Sequence, residues 1–413
     1  YPEGRYNMTV YAIDNNGYLT FLSTGYYGIH LEIDESGVFF IGVPPLEIFI
    51  QVFDGDGQTL EGATVLVLLG DEVQFSGDTN SSGYVKVNLA PGSYQVEVWW
   101  LQTLVGHKGL LADRNWPAES PFNMNVQVYQ VSFRALDVKG KSLERAAFTV
   151  RFPNGQTVDE PLIADEQGIV SLGKVPGGTY SVVVMWRGKI VADISISIST
   201  SGINDVYCTV FYVNFKAADL DGAPVQNALI TVLDFVSSMV VDADLTNASG
   251  QLFLRLPVGS YKVIAEWFGV TVLDSYDLVV ESNMNVSLTL SIYTIRIIPV
   301  DSREIVLENA VVVVSSGAFS QSGNTFSSEE VSFKLPCGNY LIEVYWQNIE
   351  VYSEDITLDG AHDTFRLSAN VFYLTVQVFD KGGTPLKDAR VTIKSDETTI
   401  STSSTSIEGK AEF

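Results

Sequence analysis

The stretch PGSYQVEVWW, beginning at Pro91, returns in altered form as PGGTYSVVVMW from Pro176, PVGSYKVIAEW from Pro257 and PCGNYLIEVYW from Pro336. Aligned on Tyr94, Tyr180, Tyr261 and Tyr340, the copies stand 86, 81 and 79 residues apart, and six positions after each tyrosine comes a tryptophan: Trp100, Trp186, Trp267 and Trp346. A second anchor lies upstream, where an aspartate precedes an alanine by nine positions in five places: Asp54 and Ala63, Asp137 and Ala146, Asp219 and Ala228, Asp301 and Ala310, Asp380 and Ala389. Self-similarity at this spacing requires an array of small domains, each larger than the unit of a solenoid.

Within each copy the apolar residues fall at every second position. Tyr94, Val96, Val98 and Trp100 alternate with Gln95 and Glu97, and Tyr340, Ile342, Val344 and Trp346 with Leu341 and Glu343. This is the period of a half-buried strand. It puts the Tyr and Trp of each pair on the inward face, where the rings bury large area and the hydroxyl and indole N–H reach partners at the rim. The tryptophan therefore reads as core, not as an exposed platform for a sugar. FDGDGQ from Phe53, AADLDGAP from Ala217 and VFDKGGTP from Val378 are turns that follow an opening strand. NSSGYVKVNL, DEQGIVSL and NASGQLFLRL each set a glycine turn before an alternating strand that runs into the Pro-Gly corner.

About seven short strands per roughly 80 residues, with no convincing helical period, predict an all-β fold: a tandem array of small antiparallel immunoglobulin-like β-sandwiches. The expected units are 1–45, a divergent or partial β unit; 46–128, 129–210, 211–290 and 291–370, four immunoglobulin-like repeats; and 371–413, an incomplete fifth repeat.

The order D-x-x-G, then Pro or Leu and Ala, then a glycine turn, then LPxGxYxVxV resembles the carboxypeptidase regulatory-like and transthyretin-like group of immunoglobulin-fold domains over residues 46–413. Repeats of that group are common in the surface proteins of archaea and bacteria, and the low-cysteine, Val/Tyr/Ser-rich texture is similar to archaeal cell-surface layer and filament proteins. The resemblance implies a fold more firmly than a task. Some related surface domains carry Lys–Asn isopeptide cross-links; here the first opening strand, PLEIFIQVF, holds no lysine.

The chain has 413 residues, of which 46% are hydrophobic, too many for a disordered polymer. A formal charge of -25 repels nucleic acid, and no apolar run reaches the roughly 18 residues that span a bilayer. The opening on Tyr1 suggests a processed chain or a part of a longer one. Cys208 and Cys337, the only cysteines, read as buried small apolar residues or as halves of bridges, and their separation by most of a repeat argues against a bridge between them.

No catalytic constellation is legible: His30, His107 and His362 fall in three different units, and nucleophile elbow, phosphate loop, zinc spacing and HExxH are all missing. No cofactor is expected. Asp54-Gly55-Asp56-Gly57 and Asp219-Leu220-Asp221-Gly222 resemble the start of a calcium loop, but later acidic ligands do not follow at the required spacing, so tight-turn chemistry is the better reading. An acidic surface can still gather divalent cations such as calcium diffusely.

The junctions NVQVYQVSFRAL, CTVFYVNFKA, TLSIYTIRII and SANVFYLTVQVF are unbroken β sequence, which predicts short, stiff joints instead of flexible linkers. An aromatic stands eight residues before each later turn aspartate: Tyr129, Phe211, Tyr293 and Phe372. Each either packs one domain against the next or belongs to the core at the start of its own first strand. With sandwiches of roughly 35 to 40 Å, the array is expected to make a rod on the order of 150 Å.

The fifth repeat reaches Gly409, equivalent to Gly83, Gly168 and Gly250, without the Pro-Gly-Tyr strand, so it is expected to be finished by more chain or by a donor strand from a neighbour. Sequons at Asn7, Asn80, Asn247 and Asn285 are candidate glycosylation sites, Asn80 and Asn247 at the equivalent glycine turn of two repeats. Trp99, Met185 and Tyr345 are out of phase with the buried set and either mark contacts between chains or lie under a following loop, such as the one bearing Trp116.

Taken together, these features predict a non-enzymatic extracellular structural protein of the cell surface, a rod-like block of a surface layer or filament whose partners are itself and other envelope proteins. The alternatives are the stalk of an adhesin that projects a recognition head and, more weakly, an accessory array on an extracellular carbohydrate enzyme.

Overall fold

The computed structural model describes residues 45–113, 120–317, 319–326, 329–359 and 364–413, together with the backbone of four short strands within the first 44 residues: Gly4–Met8, Tyr11–Ile13, Leu19–Phe21 and Ile29–Ile33. The first of these pairs antiparallel with the fourth, and the second with the third. The chain divides into two compact units, Tyr1–Val210 and Phe211–Phe413.

All-β sequence gives an all-β structure of sandwiches in tandem, each with seven strands. In the first, the opening strand Leu46–Phe53 lies between the fourth, Tyr84–Leu89, and the seventh, Phe122–Asn125. The facing sheet holds the sixth, fifth, second and third strands in that order: Thr103–Ala112, Gly92–Trp100, Thr64–Leu69 and Glu72–Asp78. The same two orders recur in the sandwiches that open on Val128–Leu136, Val210–Ala218 and Ile292–Val300. Residues 371–413 contribute Thr375–Gln377, Arg390–Ser395, Thr398–Ser404 and Lys410–Glu412, paired first with fourth and second with third.

One feature departs from the expected antiparallel sheets. In every seven-stranded sandwich the last strand runs parallel to the first, as with Phe122 beside Ile50 and Val206 beside Ala135. Because the sixth strand belongs to the opposite sheet, the chain crosses the sandwich before the seventh, and that crossover is what a parallel pair needs.

Alternation builds the cores. Ile48, Ile50 and Val52 are fully buried, as are Val96 and Val98 opposite them, while Glu47 points to solvent. Each signature tyrosine is buried and its hydroxyl donates to the carbonyl four residues back: Tyr94 to Ala90 at 3.0 Å, Tyr180 to Pro176 at 2.6 Å, Tyr261 to Pro257 at 2.7 Å and Tyr340 to Pro336 at 3.1 Å. The bond locks the Pro-Gly corner to the strand that follows it. Burial pushes the Tyr340 phenol up to about 12 and that of Tyr180 higher still.

The tryptophans are less deep than expected. Only Trp186 is buried, and Trp100, Trp267 and Trp346 are half-buried, because the residue ends its strand and its indole N–H must reach a main-chain carbonyl. Trp186 donates to Glu144, Trp267 to Gln226 and Trp346 to Glu308.

The glycine turns have a steric cause. Gly83, Gly168, Gly250 and Gly409 have φ of 72°, 74°, 69° and 70°, and a Cβ on Gly250 would come within 2.3 Å of the Ala217 carbonyl oxygen. No L side chain fits both the left-handed backbone and that approach.

Replacing Tyr180 by Phe is expected to cost about 1 kcal/mol, the usual net worth of one hydrogen bond, with the larger share falling on the corner because the Pro176 carbonyl loses its partner. Hydrogen exchange of the amides of Gly178–Trp186 measures it; protection equal to wild type would show that the corner holds without the hydroxyl.

Candidate functional site

The chemistry of this molecule gathers where one sandwich meets the next. Two residues separate the last strand of the first sandwich from the opening strand of the second, and two separate the third from the fourth. These residues are hydrogen-bonded into the sandwich they leave. Val126 N–H donates to Phe53 at 2.9 Å and Gln127 N–H to Val105 at 3.1 Å; Leu290 and Ser291 donate to Ala218 and Val272, both at 2.8 Å. Val128 and Ile292 each open a new sandwich, yet pack in the core of the preceding one. A connection so short and so fully bonded has no slack.

The turn aspartate stands at the centre of the joints after the first, third and fourth sandwiches. Asp54, Asp137, Asp219 and Asp301 are buried. One carboxylate oxygen of Asp54 accepts the amides of Asp56 at 3.0 Å and Gln58 at 2.9 Å, and Asp219 and Asp301 bind their own turns in the same i+2 and i+4 pattern. The other oxygen faces the next module. Lys174 Nζ reaches Asp54 Oδ2 at 2.8 Å, and Lys334 Nζ contacts Asp219 Oδ2. At the joint after the fourth sandwich the Tyr373 hydroxyl takes that place, donating to Asp301 Oδ2 at 2.7 Å, while the Arg303 guanidinium lies 3.5 Å from the centre of the Tyr373 ring.

Burial alone acts to raise the Asp54 pKa, but the Lys174 ammonium and the amides of Gln58 and Asp56 outweigh it and hold the carboxyl below its usual 3.8. For Asp301 burial is likewise outweighed, by the Ile305 amide, the Tyr373 hydroxyl and Arg303.

Backbone and side chains complete the contact. The amide after the turn aspartate donates to the incoming strand: Gly55 to Val128 at 2.9 Å, Leu220 to Ile292 at 3.4 Å, Ser302 to Val371 at 3.1 Å. The Ser201 hydroxyl donates to Asp56 Oδ2 and the Thr294 hydroxyl to Asp221 Oδ2, the latter at 2.6 Å. In the first joint Trp100 Nε1 donates across to the Lys174 carbonyl at 2.8 Å and Asn154 to Leu101 at 3.1 Å; in the third-to-fourth joint the Phe268 and Phe319 rings meet at 5.1 Å.

Of the aromatics eight residues before the turn aspartates, Tyr129 is a joint residue, its ring occupying the space a side chain on Gly55 would need. Phe211 packs on the core of its own sandwich, and Tyr293 lies beside Cys337 of its own sandwich, which raises its pKa. Phe372 is exposed, and its neighbour Tyr373 makes the contact instead.

Two sets of residues had not been singled out from the sequence. Lys174 and Lys334 stand six residues before their signature tyrosines, a register held by Arg255 in the third repeat and by Asn88 in the first, so a cation at that offset was a readable signal. Thr79, Thr246 and Thr325 are buried beside the invariant-looking alanines: the Thr246 hydroxyl accepts the Ala228 amide at 2.9 Å and donates to the Val225 carbonyl at 2.7 Å. Ala63, Ala146, Ala228 and Ala310 are fully buried, with no accessible surface.

The remaining sequence candidates scatter. Asn80 and Asn247 sit exposed in their glycine turns, each accepting two turn amides through Oδ1, just as Asp165 does in the second repeat. Asn285 is exposed on a seventh strand, where its Oδ1 accepts from Asn214 Nδ2 at 3.0 Å. The side chains of Asn7 and His30, and the residues Trp116 and His362, lie outside the described residues; His107 is exposed. The carboxylates of Asp54 and Asp219 are taken up by turn amides and lysines, and among the described residues no group of three or more His, Cys, Asp or Glu converges as a metal site.

Cys208 is a buried free thiol, pushed up to about 12 by burial. Cys337 is exposed, not buried, because the Pro-Cys-Gly corner turns its side chain outward. Met185 is exposed, whereas Trp99 and Tyr345 are half-buried and donate to Glu97 and Glu343 on their own strands. Among the described residues no helix is long and apolar enough to cross a membrane.

No protein-family model and no curated protein matches the chain. Solved structures overlay on parts of it. The Bacillus anthracis TIE protein is 14% identical, with 80% of this chain and 69% of that one covered and a TM-score of 0.20. A streptococcal ancillary pilin is 11% identical over 59% of this chain and 99% of its own, at 0.25. The shaft pilin spaA of Lactobacillus rhamnosus GG is 12% identical over 60% and 97%, at 0.19.

Thr246→Val removes the hydroxyl but keeps the shape, leaving a buried amide and carbonyl unpaired. The expected loss is about 1–3 kcal/mol in the third sandwich. Exchange of the Ala228 amide reads it directly, and unchanged protection would mean that the strands carry the contact without the threonine.

Proposed function

We propose that this chain is a non-enzymatic extracellular structural protein, a rod-like block of a cell-surface filament or surface layer that associates with copies of itself. The observation that supports this reading is the joint. A chain that merely strings independent domains together has no use for two-residue connections whose amides, core residues and turn aspartates are all committed to a neighbouring module. Stiff joints convert repetition into reach and fixed spacing, which are properties of a building block. The units that repeat in this way are taken as 46–128, 129–210, 211–290 and 291–370, with 1–45 as a partial β unit and 371–413 as part of a further repeat.

Cryo-electron microscopy of the native cell-envelope fraction tests the proposal: a regular fibre or lattice containing this chain supports it, and isolated unordered molecules would instead make it a stalk for a recognition head. As part of the same reading, Asn80 and Asn247 are proposed as glycan acceptors, since their Nδ2 atoms stand on exposed turns. Peptide mass spectrometry of native material is expected to find both modified; bare asparagine at the two positions would overturn this.

A further inference from the structure

We propose that the turn aspartate is a two-sided clasp: one carboxylate oxygen folds its own module, the other sets the angle of the next, so that neutralising the carboxylate frees the joint without unfolding either side. This goes beyond a structural role, because it makes one ionisable group the part of the joint that can be switched, and it does not depend on what the chain assembles into.

Three observations carry it. First, the labour is divided between oxygens: in Asp54, Asp219 and Asp301, Oδ1 takes the two turn amides and Oδ2 takes the donor from the following module. Second, the inner task needs no charge. Asn80 and Asn247 hold turns of the same i+2 and i+4 pattern with a neutral amide oxygen. Third, the donor is placed by the fold. Lys174 and Lys334 occupy one register on the fourth strand of their modules, six residues before the signature tyrosine, and in both cases Nζ meets the buried carboxylate of the preceding turn.

Among the described residues, these groups face each clasp. Around Asp54 they are Lys174 from the fourth strand of the second sandwich and, on its own turn, Asp56 with the Ser201 hydroxyl; the Tyr129 ring covers Gly55 beside it. Around Asp219 they are Lys334 and Asp221 with the Thr294 hydroxyl. Around Asp301 they are Tyr373 and Arg303. The backbone bond from Gly55 to Val128 and the Trp100 bond to the Lys174 carbonyl have no titrating atom, so an opened clasp leaves the modules joined by these contacts, with a wider range of angles between them.

The sign of the pH dependence follows from linkage. Asp54 is held below its usual 3.8, so the ion pair is complete above that value and is lost as pH falls through the lower, folded one. The joint is therefore locked across the neutral range and opens in strong acid. The Asp301 joint differs in kind, since a protonated carboxyl still accepts a hydrogen bond from the Tyr373 hydroxyl, and it should loosen less.

The test uses the full chain with Cys337→Ser and spin labels at Asp71→Cys and Asp159→Cys, exposed sites in the first and second sandwiches; Cys208 stays unlabelled because it is buried. Pulsed electron resonance at neutral pH is expected to give one narrow distance. Asp54→Asn should broaden it and shift its mean, with strand circular dichroism unchanged, while Lys174→Met should do the same and Lys174→Arg restore the narrow peak. Acidification of the parent should reproduce the Asp54→Asn distribution. A narrow, unshifted distance in both Asp54→Asn and Lys174→Met would overturn the proposal. If Asp54→Asn loses its circular dichroism, the idea that the inner task needs no charge fails, and Lys174→Met, which leaves the turn intact, still decides whether the outer oxygen sets the angle.

Discussion

A carboxylate taken out of water must have every lone pair answered, and this protein answers those of its turn aspartates from two different modules. Two amides of the aspartate's own turn satisfy one oxygen, and a lysine or tyrosine of the following module satisfies the other. Neither source suffices alone. The turn therefore finishes its hydrogen bonding only when the next sandwich is in place, and the bond that completes the fold of one module is the bond that orients its neighbour. The two-residue connections act in the same direction, because a linker whose amides are bonded into the preceding sandwich can deliver the next strand in only one direction.

Inside each module the constraint is different. A sandwich of seven short strands has a core one side chain thick on each face, so position is held by a few specific bonds at its rim. The tyrosine hydroxyl fixes the Pro-Gly corner, the buried threonine ties two strands beside an alanine that leaves it room, and the positive-φ glycine admits a carbonyl that any Cβ would strike. Of these only the tyrosine recurs in all four sandwiches: Ala164 takes the place of the threonine in the second, and the positive-φ glycine of this turn belongs to the first three and to residues 371–413.

Much of the architecture was legible from period and punctuation. Alternation named the strands, the Tyr and Gly anchors gave the repeat, and unbroken β sequence foretold the two-residue connections after the first and third sandwiches. After the fourth it did not hold, since residues 369–374 stand outside any strand between Thr364–Ser368 and Thr375–Gln377. The joint chemistry was half legible. Asp54, Asp219 and Asp301 stood out as turn residues, but their outward oxygens meet residues 72 to 120 positions away, and sequence spacing says nothing of such partners. The aromatics before each turn divide between the two roles open to them: Tyr129 belongs to the joint and Phe211 to its own core, while at the last joint Tyr373, one residue after Phe372, makes the contact, and only the packed structure shows which.

What the sequence by itself determined is the local part: which segments are strands, which face of each is apolar, where a turn needs glycine or an aspartate, and that the same module is written repeatedly. Those follow from interactions within a few residues. Tertiary structure alone decided that the seventh strand runs parallel to the first, that Cys337 faces outward while Cys208 is buried, that three of the four signature tryptophans end half-buried at the rim, and that Lys174 and Lys334 belong to their neighbours' turns. Each of these depends on a strand crossing between sheets or a module meeting another, and such encounters are fixed by packing in three dimensions, not by the order of residues along one strand.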